Sequence, residues 1–174
     1  MDELKDFVKV ARWLGIKHLI VLSHDCAQWP DQTAIDEFGT YGVTIEKCII
    51  LPSKRKPQNI PTAVLCETPE QWIQAARNAE LSYVICKNKY GMCVDVQIVK
   101  QLATHKITVV IPASDLIKAG GKEIAWMWQS HLKTAKLAKK FECMVRVFSC
   151  ATQPHEMRAP KELHVLEEFL EGVG

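Results

Sequence analysis

Apolar side chains recur at helical spacing at Leu4, Phe7, Val8, Ala11 and Leu14, and Gly15 follows as a stop signal. The pattern then changes to short apolar runs separated by further helical stretches. His18–Leu22 reads as a buried strand. A short helix is predicted from Pro30 to Phe38, with proline at its start and Gly39 and Gly42 after it. Strands are predicted at Thr44–Leu51 and Thr62–Cys66. Thr68 stands as the N-cap of a helix to about Glu80, with Pro69 in its first turn. A strand at Tyr83–Cys86, a helix at Val94–His105 and a strand at Ile107–Ile111 follow. Gly120-Gly121 precedes a long helix to about Phe141. Met144–Ser149 is the last strand and Pro160–Leu170 the last helix.

Runs such as Val109-Val110-Ile111 do not alternate polar with apolar, as expected of strands covered on both faces. Six or seven such strands separated by helices make an α/β protein with a mainly parallel sheet. An eight-fold βα barrel typically takes about 250 residues. At 174 residues, a barrel here is shortened or incomplete, and residues 1–174 read as a single domain. The segment Pro52–Pro61 holds three prolines and the cations Lys54, Arg55 and Lys56. It reads as an exposed loop inside that domain.

Composition narrows the function classes. The chain is 48% hydrophobic and 24% charged, within the folded range. No apolar run reaches the roughly 18 residues that span a bilayer, and the acidic N-terminus has no apolar signal region. Seven cysteines with no Cys-x-x-Cys pair read as mostly buried thiols in a reducing cytoplasm, not as a disulfide framework or zinc site.

His24 and Asp25 follow the first strand, where barrel metal hydrolases place ligands, but no His-x-His pair accompanies them. The alternative is an ordinary polar turn. Cys150 and His155 share one loop, a pairing that chance also supplies. There is no Gly-x-Ser-x-Gly elbow, no P-loop and no Gly-x-Gly-x-x-Gly.

Charge is more informative, because it is segregated. The chain is nearly neutral at +2, yet Lys118–Arg146 holds seven cations against two acids, and Lys161–Gly174 one cation against four acids. At about 100° per residue, Ile124, Met127, Trp128, Leu132, Ala135 and Ala138 share one sector of the long helix. Lys122, Lys133, Lys136 and Lys140 cluster opposite. Two readings are open: a solvated face, or a stripe that tracks phosphates with Lys54-Arg55-Lys56 nearby. Trp126 lies beside the lysines as a candidate stacking contact, whereas Trp13, Trp72 and Trp128 are expected in the core.

The C-terminal third carries a pattern. Arg146-Val147-Phe148-Ser149-Cys150-Ala151, then Met157-Arg158-Ala159-Pro160-Lys161-Glu162-Leu163, resembles the C-terminal signature of the archaeal ribonuclease P protein component 3 family. Thr108–Ile117 and the basic helix ending Leu137-Ala138-Lys139-Lys140-Phe141 are similar to that family as well. The similarity runs from about Tyr83 to the C-terminus and is weaker before it. Pro160 presets a first helical turn. Arg158, in the loop leaving the last strand, could grip phosphate or hold the loop by bonding carbonyl oxygens.

The resemblance implies a TIM-barrel-like, cytoplasmic subunit of ribonuclease P that assists a catalytic RNA in removing the 5′ leader of precursor tRNA. It implies RNase P RNA and protein component 2 as partners, typically in a two-plus-two heterotetramer. It implies no cofactor in the protein and magnesium for the RNA. Lys54, Arg55, Lys56, Lys122, Lys133, Lys136, Lys140, Arg158 and Lys161 are the candidate RNA-facing residues, most of them chosen from charge and helical phase. Two other readings stand beside this one: a metal-dependent phosphoesterase of the related barrel family using His24 and Asp25, and a protein-only scaffold. Family members begin with a strand before the first helix, which this chain lacks. Cys150 stands where the family commonly has glycine or serine. The strand His18–Leu22 is therefore expected at an open edge, covered by another element of the chain or by a second chain.

Overall fold

The computed structural model describes residues 2–25, 29, 31–52, 59–87 and 94–172. Helix α1 (Asp2–Trp13) ends in a tight turn: Gly15 has φ +71°, its N–H bonds the carbonyl of Arg12, and the Ile16 N–H bonds that of Ala11. A glycine enters this left-handed conformation without the Cβ clash that penalises other residues. Strands β1 (His18–Ser23), β2 (Thr44–Leu51), β3 (Thr62–Cys66), β4 (Tyr83–Cys86), β5 (Thr108–Pro112) and β6 (Val145–Phe148) follow. Helices α2 (Gln32–Gly39), α3 (Pro69–Arg77), α4 (Val96–Thr104), α5 (Ala113–Lys118), α6 (Gly121–Lys140) and α7 (Pro160–Gly172) accompany them.

Every strand pairs in parallel with its sequence neighbour, in the order β1 to β6. Among the described residues the sheet is six-stranded and curls into an open half-barrel, an incomplete relative of the TIM barrel. The pleat sorts side chains by face. Cys48, Ala63, Ile85 and Val110 form the inner cluster, with Ile20, Leu22, Leu65, Tyr83 and Phe148 around them. Val84, Cys86 and Val109 point outward into the layer of α3, α4 and α6, among Trp72, Val99, Leu102 and Ala138.

The two ends of the sheet differ. At the β6 edge, the Val147 N–H donates to Glu167 Oε1 at 2.8 Å, and Arg146 Nη1 lies 3.4 Å from Glu167 Oε2. A carboxylate on α7 thus takes a backbone donor that a further strand would otherwise pair. At the other end, Leu19 and Val21 of β1 join Val8 and Ala11 of α1 with Ala151 and Met157 from the loop after β6. An element of the same chain therefore covers the side chains of β1, although β2 is its only strand partner among the described residues.

Several expectations shift by a residue or two at the ends, and two change in kind. α5 and a 3₁₀ turn at Pro154–Glu156 were not visible in the hydrophobic pattern, each being too short to show a period. Trp13, expected in the core, is 84% exposed, because helical phase puts it on the polar face of α1 with Asp6 and Lys9, opposite Val8 and Ala11. Trp72 is buried and Trp128 half-buried, as expected.

Candidate nucleic-acid interface

Helix α6 positions the basic face. Its twenty residues span about 30 Å at 1.5 Å per residue. Met127, His131, Ala135 and Ala138 face the sheet. Lys122, Lys133, Lys136 and Lys140 all lie exposed on the opposite side, with Trp126 57% exposed beside them. Lys122, Lys133 and Lys136 have no ion-pair partner among the described residues. Lys140 Nζ sits 5.8 Å from the centroid of Phe141, which Lys100 of the neighbouring α4 approaches at 5.0 Å. The face holds fixed positive charge with no acid to neutralise it, which is what phosphate neutralisation uses.

Lys122 opens α6 at the end of the fold where the strands terminate, and Lys161 opens α7 at that same end, exposed. Arg158 lies just before Lys161, half-buried. Its Nη1 donates to the carbonyls of Met157 at 2.8 Å and His155 at 3.2 Å, and its backbone N–H donates to Ser149 Oγ at 2.8 Å. These bonds tie Arg158 to its own loop through Nη1. Lys54, Arg55 and Lys56 lie outside the described residues. Four lysines share one helix face, and two further cations mark the rim.

Glu156 is a residue that sequence reasoning missed. Its Oε2 accepts from the Thr152 N–H at 2.7 Å, Thr152 Oγ1 at 2.9 Å and the Gln153 N–H at 3.3 Å, while Lys118 Nζ sits 2.8 Å from Oε1. The Lys118 ammonium first, and then the backbone donors, hold its carboxyl down to about 2. Glu156→Gln removes the charge that organises this loop, and we expect faster hydrogen exchange at Thr152 and Gln153 with the sheet unaffected. Because the folded-state value is depressed, this stabilisation is present above the ordinary carboxylate range and fades as pH falls from about 4.5 toward 2. Unchanged exchange in the variant would remove Glu156 from that role.

The rim of β4 to β6 is tied together rather than reactive. Lys87 Nζ contacts Asp115 Oδ1 at 2.8 Å, both largely buried, and Ser114 Oγ bonds the Cys150 carbonyl at 3.0 Å. Cys150 adopts φ +47°, the left-handed region. This explains in backbone terms why glycine suits the position. Burial pushes its thiol up to about 12, so it is held protonated and is a poor nucleophile. His155 lies exposed in the following turn. His24 and Asp25 are exposed after β1, where Ser23 Oγ bonds the Asp25 backbone in a local turn. Among the described residues, no three His, Cys, Asp or Glu side chains are grouped to hold a metal ion. No helix among them is long and apolar enough to cross a membrane.

One buried polar pair lies behind this surface. His131 on α6 is fully buried, with Nδ1 3.6 Å from Cys86 Sγ of β4 and Nε2 without a partner. Thr134, one turn on, is buried with its hydroxyl unpaired. The polar types of Ser130, His131 and Thr134 hid this inward face of α6. The sector read as apolar from sequence is therefore turned partly toward α7, where Trp128 and Leu132 meet Leu163 and Leu166.

No family model matches the sequence, and no curated protein matches it. The fold is matched by a chain of a cryo-EM structure of archaeal ribonuclease P with mature tRNA. The TM-score is 0.77 at 12% sequence identity, and the match covers 95% of this chain and 78% of that one. At that identity the likeness is one of fold, and it extends over nearly every element described above.

Proposed function

We propose that this chain is a protein subunit of ribonuclease P and that it supports a catalytic RNA in cleaving the 5′ leader of precursor tRNA. The observation that carries the reading is the fold match to a chain within an archaeal ribonuclease P assembly holding tRNA, over 95% of this chain. The C-terminal signature supports it independently of the fold. Arg158 lies in the loop after β6 and Pro160 opens α7, in line with that resemblance, whereas Cys150 departs from it and takes a φ of +47°.

In this reading the protein supplies position and charge, and the RNA with its magnesium supplies the hydrolysis. Lys122, Lys133, Lys136 and Lys140 neutralise backbone phosphates, with Lys161 at the rim and Lys54, Arg55 and Lys56 in the loop between β2 and β3 as further contacts. Arg158 holds the loop that presents the start of α7. The partners are RNase P RNA, precursor tRNA through the holoenzyme, and protein component 2, in a two-plus-two arrangement in the cytoplasm. Among the described residues of the rim, burial keeps the Cys150 thiol protonated and Lys87 is paired with Asp115, so neither is an activated nucleophile.

The test is affinity capture of the tagged chain from its own cell extract, followed by sequencing of the bound RNA. RNase P RNA should be the most enriched species, with precursor tRNA beside it. Capture of protein partners with no RNA enrichment at low salt would overturn the reading in favour of a scaffold.

A further inference from the structure

Trp126 is the one exposed large apolar side chain of α6, at 57%. Among the described residues its indole makes no hydrogen bond, ring contact or cation contact. At about 100° per residue, Trp126 shares about 80° of arc with Lys122, Lys133, Lys136 and Lys140, and exposed Gln129 lies in the same sector. Along the axis, Lys122 stands about 6 Å before the indole and Lys133 about 10 Å after it. Glu123, the acid of the first turn, lies on the far side of Trp126 from the lysines.

A single exposed aromatic is ordinary on a protein surface. The surroundings set this one apart. Trp13 is more exposed, but its face of α1 carries both signs of charge, with Lys9 paired to Asp6. Around Trp126, Lys122, Lys133 and Lys136 have no acid partner among the described residues. An apolar protein surface laid on the indole would have to desolvate those ammonium groups with nothing to pair them. A nucleic acid satisfies both parts of the face together, because phosphates neutralise the lysines and a base covers the indole. In a duplex the faces of the bases are hidden in the stack, so the base that reaches the indole is an unpaired one.

We propose that Trp126 is a stacking platform for an unpaired nucleotide of the bound RNA, with Lys122 and Lys133 taking phosphates to either side of it. The platform rests on the ribonuclease P reading and deepens it, since it names single-stranded or bulged RNA as what the α6 face takes. The lysines supply charge that any backbone satisfies, and Trp126 supplies the preference for unpaired over duplex RNA.

Affinity for RNase P RNA over a salt series tests it, with Trp126→Ala and Trp126→Phe compared to the parent. The position is exposed, so both variants should keep the parent's circular dichroism. Trp126→Ala should weaken binding about tenfold, the loss of one base–aromatic stack. The slope of log affinity against log salt should stay unchanged, because no phosphate contact is removed. Trp126→Phe keeps a ring and should retain most of the affinity. At low salt a short oligoadenylate should quench the parent's tryptophan fluorescence more than a duplex RNA of the same length, and Trp126→Phe should abolish that difference. Binding by Trp126→Ala equal to the parent's overturns the platform while leaving the ribonuclease P reading in place. A loss that Trp126→Phe shares in full, or one that comes with a shallower salt slope, also overturns it, by making Trp126 a support for the lysines. Loss of a captured protein with RNA binding intact overturns it in favour of a protein contact. A parent chain that binds no RNA at low salt overturns both the platform and the reading beneath it.

Discussion

Between pH 6.5 and 4.5 this protein is expected to lose stability at a slope approaching 1.4 kcal/mol per pH unit, and His131 is the group responsible. The side chain is fully buried on α6 with one nitrogen against the Cys86 thiol and the other unpaired. Burial disfavours its charged form and drives its pKa down to about 4, against a weaker opposing pull from the Asp115 carboxylate. In the unfolded chain the same imidazole takes a proton near 6.5. Between the two values the unfolded state binds more protons than the folded one. The stability is therefore fully present above 6.5, falls as pH drops, and levels off below 4. The whole effect is about 3 kcal/mol, a large part of a typical domain's net stability. Glu156 does not contaminate this window, because its contribution fades only below about 4.5. Denaturant unfolding at a series of pH values checks the slope, and His131→Leu should flatten it. A flat profile in the parent, or an unchanged slope in the variant, would contradict the assignment.

The second large effect concerns the lysine face. With Lys133, Lys136 and Lys140 changed together to alanine, affinity for RNase P RNA should fall on the order of tenfold to a hundredfold near physiological salt. The slope of log affinity against log salt should become shallower by two to three units, because each lost phosphate contact removes one released counterion. The three side chains are exposed and contribute nothing to the buried face of α6, so the variant should fold. The slope separates the readings better than affinity does: an ordinary solvated face leaves it unchanged. A folded triple variant with the parent's slope would return the face to that role.

The alternation of strands and helices was legible because buried parallel strands read as unbroken apolar runs, as in Val109–Ile111, and because Gly15 and Thr68 mark helix ends by their own chemistry. Thr68 is the N-cap as expected, and Gln71 completes a capping box with it. The lysine face was legible for the same reason, since one helical period sorts all four cations. What stayed hidden depends on contacts remote in sequence. Glu156 is an unremarkable acid until Lys118 of α5 and the Thr152 backbone converge on it. Glu167 reads as one more surface acid on α7, and only the edge of β6 gives it the Val147 N–H. His131 sits on a polar-looking stretch of helix that the sheet turns inward against Cys86. Arg158 left two roles open in sequence, and the nearby carbonyls of His155 and Met157 show where its guanidinium goes.

The proposed role is that of a ribonuclease P subunit whose chemistry belongs to RNA. Its most direct test is reconstitution: precursor tRNA cleavage by RNase P RNA in magnesium, at limiting salt, with and without this chain and protein component 2. Adding the chain should raise the rate of 5′-leader removal, and without the RNA the protein should leave precursor tRNA intact. Cleavage by the protein alone, or a rate unaffected by its addition, would contradict it.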